Sequence, residues 1–397
     1  MAVLQRFIVV NRDLGLIYLS CFLWGFGAFL YFYLQPLYIT QLGASPAQVG
    51  LALGLGSFVV TFLYAPIGLL ADRYGRKQMI LLGWSIGTLS TYAMAFAPNW
   101  RWFTPALAGY ILSNFAVAVL YGYITTSAPI ERRGEAFALV SSFISLGSIV
   151  APAIGGWIGE QFGLRTVYFV AAMVFTCSTL VLLPMGNQPA EPRANRRSAG
   201  VLLRNRTFLL QIATVFLLFF AIDVGLVLAP KYLEEVQRLT INEIGWLGTW
   251  GAIGVVILVY ALSKLRGEGL PALVLALLIA MTGLLLLLFG GNHLPVLAIA
   301  FLINGGNPLL RPSVLVRIGR LLGPENLSFG LGIQQTAMQL GLAVSPYVAG
   351  LLYAQQPVWP FYVGLGSLGI MVVVTLVGAT SGVSTQSAQQ QEATGNR

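Results

Sequence analysis

Two charged residues, Asp223 and Arg311, fall inside long apolar runs of the sequence, where an ionised side chain is costly. A charge at the centre of a bilayer costs about 2.5–3.5 kcal/mol on insertion scales, so each residue needs a chemical reason for its position. Removal from water favours the protonated form of a carboxylic acid, which would let Asp223 exchange a proton near neutral pH. Asp223 is therefore a candidate for proton coupling or cation binding. The alternatives are a water-exposed acid near the mouth of a passage and an ion pair with Lys231 or another basic group.

Arg311 could bind an anionic group of a substrate or anchor a helix. It is flanked by Pro308 and Pro312, which free nearby backbone carbonyl groups and favour a shaped site. The predicted helices place Asp223 and Arg311 roughly 12 Å apart along the membrane normal, given the rise of an α-helix. This separation favours independent roles over a direct ion pair.

Polar and aromatic residues recur at spacings of three, four and seven on four predicted helices, so the members of each set share one helix face. Because polar side chains avoid lipid, we expect these faces to turn inwards. The residues on these inward faces are Trp24, Tyr31, Gln35, Tyr110, Asn114, Tyr121, Phe216, Phe219, Phe220, Asn304, Asn307 and Arg311.

The residue patterns needed for catalysis or for a cofactor are missing from the sequence. It contains no G-x-x-x-x-G-K-[ST] phosphate-binding loop, which argues against ATP-driven pumping. His293 is the only histidine, and it cannot by itself build a multi-histidine metal site. Cys21 and Cys177 fall inside apolar runs and are expected to be core residues rather than a disulfide. We therefore predict no enzymatic activity, no cofactor and no metal.

The composition predicts a membrane protein. Of the 397 residues, 57% are hydrophobic and 9% are charged, whereas soluble domains carry roughly 25% charged residues. A helix needs roughly 20 apolar residues to cross a bilayer, and inside lipid such a run must satisfy its own backbone groups as a helix. The sequence therefore predicts an all-α fold with twelve transmembrane helices, near residues 14–40, 46–71, 78–97, 102–128, 135–158, 166–185, 208–233, 242–264, 270–290, 295–318, 328–354 and 358–379.

The basic residues are distributed unevenly between the two predicted sides of the membrane. The formal net charge is +9, but Lys and Arg stand between apolar runs rather than on one face, which argues against a nucleic-acid partner. Seventeen of the 22 Lys and Arg residues fall on the side that also holds both termini. By the positive-inside rule, that side is the cytoplasm. We predict a multi-pass protein of the plasma or inner membrane with both termini cytoplasmic.

The two halves of the sequence repeat at an offset of 194 residues, which pairs Pro36 with Pro230. Further pairs, the last two with one inserted residue, are Tyr38 with Tyr232, Gly147 with Gly341, Pro152 with Pro346, Gly156 with Gly350, Gly50 with Gly245 and Gly56 with Gly251. In both halves the second helix also begins with a capping box, at Ser45 and at Thr240. Parallel six-helix repeats predict a pseudo-twofold axis along the membrane normal.

The repeat divides the chain into two predicted bundles. We assign residues 1–185 to an N-terminal six-helix bundle and residues 208–379 to a C-terminal one. Residues 186–207 form a predicted cytoplasmic linker that contains five arginines. Residues 380–397 are rich in Ser, Thr and Gln and are predicted to be a disordered cytoplasmic tail.

A ten-residue motif follows the second predicted helix. Its defining residues are Gly68, Asp72, Arg73, Gly75, Arg76 and Lys77. The segment resembles the cytoplasmic signature G-x-L-a-D-r-x-G-r-k of the major facilitator superfamily, with every position filled. The resemblance implies two six-helix bundles and a latch at Asp72 between the halves. It also implies a substrate cavity lined by the first, fourth, seventh and tenth helices, so that the inward-facing residues given above are the predicted cavity residues. The plain alternative is a positive-inside loop with a turn glycine.

The fifth predicted helix carries a second motif, formed by Gly147, Pro152, Gly155 and Gly156. It resembles the G-x-x-x-G-P-x-x-G-G motif of the twelve-helix drug–proton antiporters, with Ala151 where glycine is usual. The alternative is ordinary packing of small residues between membrane helices. One departure from that branch is a missing arginine early in the fourth helix, which weakens the prediction of antiport and leaves the fold unchanged.

The resemblance implies a secondary transporter that works by alternating access. We predict an ion-coupled, proton-dependent exporter of amphipathic compounds, because the predicted cavity faces are aromatic. The expected partners are the lipid bilayer, a small-molecule substrate and protons, and the expected state is a monomer. The alternatives are a uniporter or symporter that imports a small metabolite, and a membrane receptor or scaffold that transports nothing.

Overall fold

The computed structural model describes residues 11–58, 61, 75–188, 206–264, 270–304, 322 and 324–376. These residues form helices and no strand, which confirms the predicted all-α membrane fold. Nine of the described helices are long and apolar enough to cross a membrane. In chain order the segments are α1 (Arg12–Gln41), α2 (46–58), α3 (Arg76–Phe96), α4 (Trp100–Ser127), α5 (Arg133–Phe162), α6 (Leu164–Leu182), α7 (Arg206–Leu226 with Ala229–Glu235), α8 (Ile241–Lys264), α9 (Leu270–Phe289), α10 (Leu294–Asn304), α11 (Pro324–Gln355) and α12 (Trp359–Leu376).

Several predicted features lie outside the described residues. They are the tail, most of the linker, the second half of the predicted tenth helix, and the motif residues Gly68, Asp72 and Arg73.

Both predicted capping boxes are present at the start of the second helix of each half. The Ser45 N–H donates to Gln48 Oε1 at 2.9 Å, and the Gln48 N–H donates to Ser45 Oγ at 3.4 Å. The Thr240 N–H donates to Glu243 Oε2 at 2.8 Å, and the Glu243 N–H donates to Thr240 Oγ1 at 3.2 Å. These bonds satisfy backbone donors that a helix start leaves free. They confirm that α2 and α8 are equivalent elements of a repeat.

The first helix of each half is interrupted at the same place in the repeat. In α1 the residues Phe32–Leu34 form a 3-10 turn just before Pro36. In α7 the helix stops at Leu226 and resumes at Ala229, next to Pro230. Proline lacks a backbone N–H, and its ring clashes with the carbonyl one turn earlier, which disfavours a regular helix in the turn before Pro36 and before Pro230. The paired prolines explain the paired breaks.

Close packing within each half occurs at equivalent glycines. A Cβ atom added at Gly147 of α5 would lie 2.6 Å from the Phe26 backbone nitrogen of α1. A Cβ atom added at Gly341 of α11 would lie 3.2 Å from the Phe220 backbone nitrogen of α7. The two contacts are related by the offset of 194 residues. Glycine is required in both places because any side chain would separate the helices.

The two halves meet along α5 with α8 and along α2 with α11. We call the end that holds the α1–α2 loop at 42–45 the distal end, and the opposite end, where α3 begins at Arg76, the connector end. Gly163, with a φ of +83°, turns the chain between α5 and α6 at the distal end. Both cross-half contacts include residues near this end, so the halves touch there.

Candidate substrate and coupling site

Asp223 lies in the middle of α7, shortly before the break that precedes Pro230. The Ser345 hydroxyl of α11 donates a hydrogen bond to Asp223 Oδ2. Ser345 is fully buried, whereas Asp223 is half-buried. Within the described residues, Ser345 is the one side chain bonded to Asp223. The pair can therefore switch its bonding when the carboxylate gains a proton, because a protonated acid becomes a donor.

The ion pair between Asp223 and Lys231, which the sequence left open, does not form. Lys231 instead pairs with Glu235, one helical turn further along α7. Among the described acidic side chains, Asp223 alone stands in the middle of a spanning helix rather than near its end. Among the described residues, the acid is thus held by a neutral hydroxyl and not by a cation.

The acid–serine pair belongs to the second half alone. The residues 194 positions earlier are Phe29 and Ala151, which cannot make this bond. Ala151 is also the residue that departs from the antiporter motif of the fifth helix. The two halves therefore repeat one another in their helices, but only the second half carries an acid at this position.

Aromatic residues predicted to line the cavity form a stack in the first half. The Trp24 ring is stacked on Tyr110, with centroids 6.1 Å apart, and on Phe175 at 4.3 Å. The Tyr31 ring is stacked on Tyr168 at 4.5 Å. Tyr31 is buried, and its hydroxyl has no hydrogen-bond partner among the described atoms. We call these five residues the aromatic stack; it joins α1, α4 and α6.

Sequence reasoning missed the α6 members of the aromatic stack. Tyr168 and Phe175 are seven residues apart, so they share a helix face, and both are fully buried. This spacing is a usable signal, but it does not reveal which helix the face contacts.

The other predicted residues of α1 and α4 lie apart from the aromatic stack. Gln35 is half-buried, and its enclosed Nε2 atom has no partner among the described residues. Asn114 is exposed and donates from Nδ2 to the Ile111 carbonyl at 3.0 Å, where α4 is interrupted. Tyr121 is 38% exposed and packs edge-on against Phe137. Among the described residues, Gln35 Nε2 is thus an enclosed polar atom without a partner, and Asn114 Nδ2 is already bonded within its own helix.

The phenylalanines of α7 and the asparagine of α10 complete the described part of the predicted cavity. The Phe216 and Phe220 rings are stacked with centroids 6.3 Å apart, and Phe219 is buried. Asn304 donates from Nδ2 to the Ala300 carbonyl at 3.0 Å, while its enclosed Oδ1 has no described partner. Asn307 and Arg311 lie outside the described residues.

The described residues of the ten-residue motif contact the start of the linker, residues 186–188. Gly75, with a φ of +81°, precedes α3. Arg76 donates to Thr126 Oγ1 at 2.7 Å and to Gln188 Oε1 at 3.3 Å. Lys77 is half-buried at the same end. These bonds tie α3, α4 and residues 186–188 together within the first half. Gln188 was not flagged by the sequence.

The fifth-helix motif packs on both halves. Gly155 lies against the Leu30 carbonyl of α1. A Cβ atom at Gly156 would lie 2.9 Å from Gly245 Cα, and the Ala153 N–H beside Pro152 donates to Thr249 Oγ1 at 3.2 Å. Gly245 and Thr249 both belong to α8. The motif therefore joins the bundles at the distal end.

An acid from the first half also caps a helix of the second. Glu160 Oε2 accepts a hydrogen bond from the Asn242 N–H at 2.7 Å. The positive end of the α8 dipole attracts this carboxylate, an effect of about 0.3–1 kcal/mol. The position 194 residues later is Ala354, so this cap also has no counterpart.

Two bundles of membrane-spanning helices that repeat one another and meet at glycine contacts have the architecture of polytopic membrane transporters built from two repeats. The chain belongs to the Major Facilitator Superfamily, whose sequence profile matches residues 17–303 and 224–395. This membership confirms the predicted family and a transporter rather than an enzyme.

Curated relatives match along nearly the whole chain. The quinolone resistance protein NorA of Staphylococcus aureus is 23% identical over 384 residues, which cover 93% of this chain and 97% of the relative. A multi-drug resistance efflux pump, the PmrA homolog of Lactococcus lactis subsp. lactis, is 26% identical over 367 residues, with 86% and 88% covered.

Solved structures share the fold at low sequence identity. The nucleoside transporter NupG matches with a TM-score of 0.77 and 13% identity, over 92% of this chain and 98% of that one. The human organic anion transporter MFSD10 (TETRAN) matches with a TM-score of 0.65 and 16% identity, over 92% and 99%. These likenesses show the fold alone. The family membership and the curated relatives support a multi-pass membrane transporter with a small-molecule substrate.

Proposed function

We propose that the chain is a proton-coupled exporter of amphipathic compounds that works by alternating access. The observation that carries this proposal is the bond between Asp223 and Ser345. Asp223 lies in the middle of a spanning helix, and among the described residues its bonded partner is a neutral hydroxyl rather than a cation. Alternating access would arise from rocking of one bundle against the other, as in other transporters built from two repeats.

Proton coupling follows from the cost of enclosing a charge. An ionised carboxylate at mid-membrane costs about 2.5–3.5 kcal/mol, and protonation removes most of that cost. Closing the passage around Asp223 therefore favours its protonated form, and opening the passage to water favours release of the proton. A cationic or polar substrate that approaches the carboxylate also favours release. The proton and the substrate thus compete for one site.

The substrate class rests on the predicted cavity faces and on the relatives. The half-buried rings of Trp24, Tyr110, Phe216 and Phe220 offer flat apolar surfaces that could take an amphipathic molecule. NorA and the PmrA homolog carry the words quinolone resistance and multi-drug resistance in their names. We extend this export of drug-like compounds to the present chain.

The sidedness and organisation are parts of the same proposal. We propose that the connector end faces the cytoplasm, that the distal end faces outside an inner or plasma membrane, and that the chain acts as a monomer. The two moving units are residues 1–185 and 208–379. The excess of Lys and Arg in the connector-end segments supports this orientation.

Flux measurements in proteoliposomes test the proposal. A fluorescent quinolone and an amphipathic dye are added outside vesicles whose lumen is more acidic, and accumulation is followed with and without a protonophore. We expect accumulation that requires the proton gradient. Flux independent of the gradient would indicate a uniporter, and an absence of flux for a broad panel would indicate a receptor or scaffold.

The role of Asp223 is tested separately with Asp223→Asn. We expect this variant to lose gradient-driven accumulation while it keeps exchange of labelled for unlabelled substrate at equal pH. Glu131→Gln is the matched control, because Glu131 is exposed at the connector end. If Asp223→Asn accumulates substrate like the wild type, the coupling role is wrong.

The second candidate function is an uncoupled facilitator or an importer of a small metabolite. The observation in its favour is that the fourth helix has no arginine inside the membrane. Its only basic residue is Arg101, which is exposed at the distal end. The same flux assay separates the two, because a facilitator equilibrates its substrate and does not concentrate it.

A further inference from the structure

Lys231 is buried at the distal end of α7, with 1% of its side chain exposed. Lysine is almost never fully buried unless its charge is paired. Lys231 forms an ion pair with Glu235 and also donates from Nζ to Thr40 Oγ1 at 3.1 Å. Thr40 belongs to α1, so this bond joins the two halves.

The direction of the bond to Thr40 is fixed by the local geometry. The Thr40 hydroxyl donates its own proton to the Pro36 carbonyl at 2.9 Å, one turn earlier in α1. Its oxygen is therefore left as an acceptor for the Lys231 ammonium, which has donors only. A hydrogen bond to a charged group is about twice as strong as a neutral one.

A third helix orients the ammonium group. Tyr353 of α11 donates its hydroxyl to Glu235 Oε2 at 2.7 Å, and Lys231 Nζ lies 5.7 Å from the centroid of the Tyr353 ring. Glu235 is thus held between Lys231 and Tyr353. Glu234, half-buried beside it, adds negative charge. The second half holds the ammonium, and the first half offers it a single oxygen.

The repeat shows that packing alone does not require a lysine here. The residue 194 positions before Lys231 is Leu37, which is 1% exposed at the equivalent place in α1. The residues equivalent to Glu235 and Tyr353 are Gln41 and Gly159. An apolar side chain therefore fills the equivalent position, so packing does not explain the charge at Lys231.

We propose that Lys231 is a latch that holds the distal end closed through its bond to Thr40, with Glu235 and Tyr353 as positioning residues. The bond must break whenever α1 and α7 separate at that end. This inference rests on alternating access within the proposed function and is independent of proton coupling. Opening costs the ammonium one hydrogen bond and leaves its pair with Glu235 intact.

Double electron–electron resonance of spin-labelled protein in lipid nanodiscs measures the distance between two labels at the distal end. It reports opening of that end without any transported substrate. The labels are placed at Trp102→Cys and Phe289→Cys, which are exposed at the distal ends of α4 and α9. The background replaces Cys21 and Cys177 with alanine. The distance distribution then gives the fraction of molecules with the distal end open, whether or not the protein exports drugs.

Two variants remove the latch. Lys231→Leu introduces the residue type that the first half carries, and Thr40→Val removes the acceptor with little change in shape. We expect each to raise the ratio of open to closed molecules about tenfold, which corresponds to about 1.4 kcal/mol. Thr40→Ser keeps the hydroxyl and should match the wild type. The double variant should open no further than either single variant, because both remove one bond.

The latch is wrong if Thr40→Val and Lys231→Leu leave the distance distribution unchanged, or if Thr40→Ser opens the distal end as far as Thr40→Val. Should Lys231→Leu fail to fold, Thr40→Val and Thr40→Ser decide the question by themselves. A protein that shows this pattern but moves no drug would retain the latch and lose the proposed substrate class.

Discussion

Gly156 of α5 and Gly245 of α8 pack backbone against backbone across the two halves. A Cβ atom added at Gly245 would lie 2.7 Å from Gly156 Cα. The same relationship recurs between Gly50 of α2 and Gly350 of α11, where an added Cβ atom would lie 3.1 Å from the partner Cα in either direction. The repeat thus closes its distal end through two equivalent glycine pairs.

A side chain at Gly245 is expected to hold the distal end apart. Overpacking of a tight contact costs about 1–3 kcal/mol, and separation of the helices avoids this cost. Gly245→Val should therefore raise the distal-open fraction about tenfold or more in the spin-label experiment. Gly366→Val is the control, because nothing lies within 4 Å of an added Cβ atom there. Equal distance distributions for the two variants would contradict the assignment.

Ser345→Ala is expected to shift the pH dependence of transport. The change removes a hydrogen-bond donor from the ionised carboxylate of Asp223, and this loss favours the protonated form. The midpoint of the pH–rate profile should therefore move to higher pH by about one unit. Gradient-driven flux measured across a pH series gives the midpoint.

Ser148→Ala is the matched control for the serine of α11. Ser148 is buried in α5, and its hydroxyl donates to the Ser145 carbonyl of its own helix at 2.8 Å. Its removal should leave the midpoint in place. A midpoint that stays fixed in Ser345→Ala, or moves equally in both variants, argues against a link between Ser345 and the titrating group.

Trp24 is expected to contribute mainly to the stability of the protein, and Tyr121 to the affinity for substrate. Trp24 packs on Trp84 and Phe175, so Trp24→Ala should lower the stability by about 3–5 kcal/mol. Tyr121 is exposed at 38%, so Tyr121→Ala should leave the melting temperature nearly unchanged and alter the apparent affinity for aromatic substrates. Thermal unfolding in detergent and flux kinetics measure the two effects. A large loss of stability in Tyr121→Ala would assign it to the core instead.

Much of the fold could be predicted because the signals are local. The paired breaks follow from Pro36 and Pro230, which act on the turn just before them. The capping boxes at Ser45 and Thr240 span four residues each. Signals of this range are visible in sequence without knowledge of any neighbouring helix.

The candidate site was harder to predict because its contacts are distant in sequence. The spacing of Trp24 and Tyr31 gives a helix face but does not reveal that Tyr168 and Phe175 of α6 cover it. From the sequence alone, Lys231 is a charge near the end of a helix. Its neighbours in sequence do not indicate that it bonds to Thr40 of α1, 191 residues away. A long side chain can be buried or solvated, and only the packed helices decide which.

The most direct test of the central claim is substrate-triggered proton release from the purified protein in weakly buffered detergent. A pH-sensitive dye reports the protons released when a saturating amphipathic substrate is added. We expect the wild type to release about one proton per chain in the pH range where Asp223 is protonated without substrate, and Asp223→Asn, which still binds, to release none. Equal proton release from Asp223→Asn and the wild type would contradict the account.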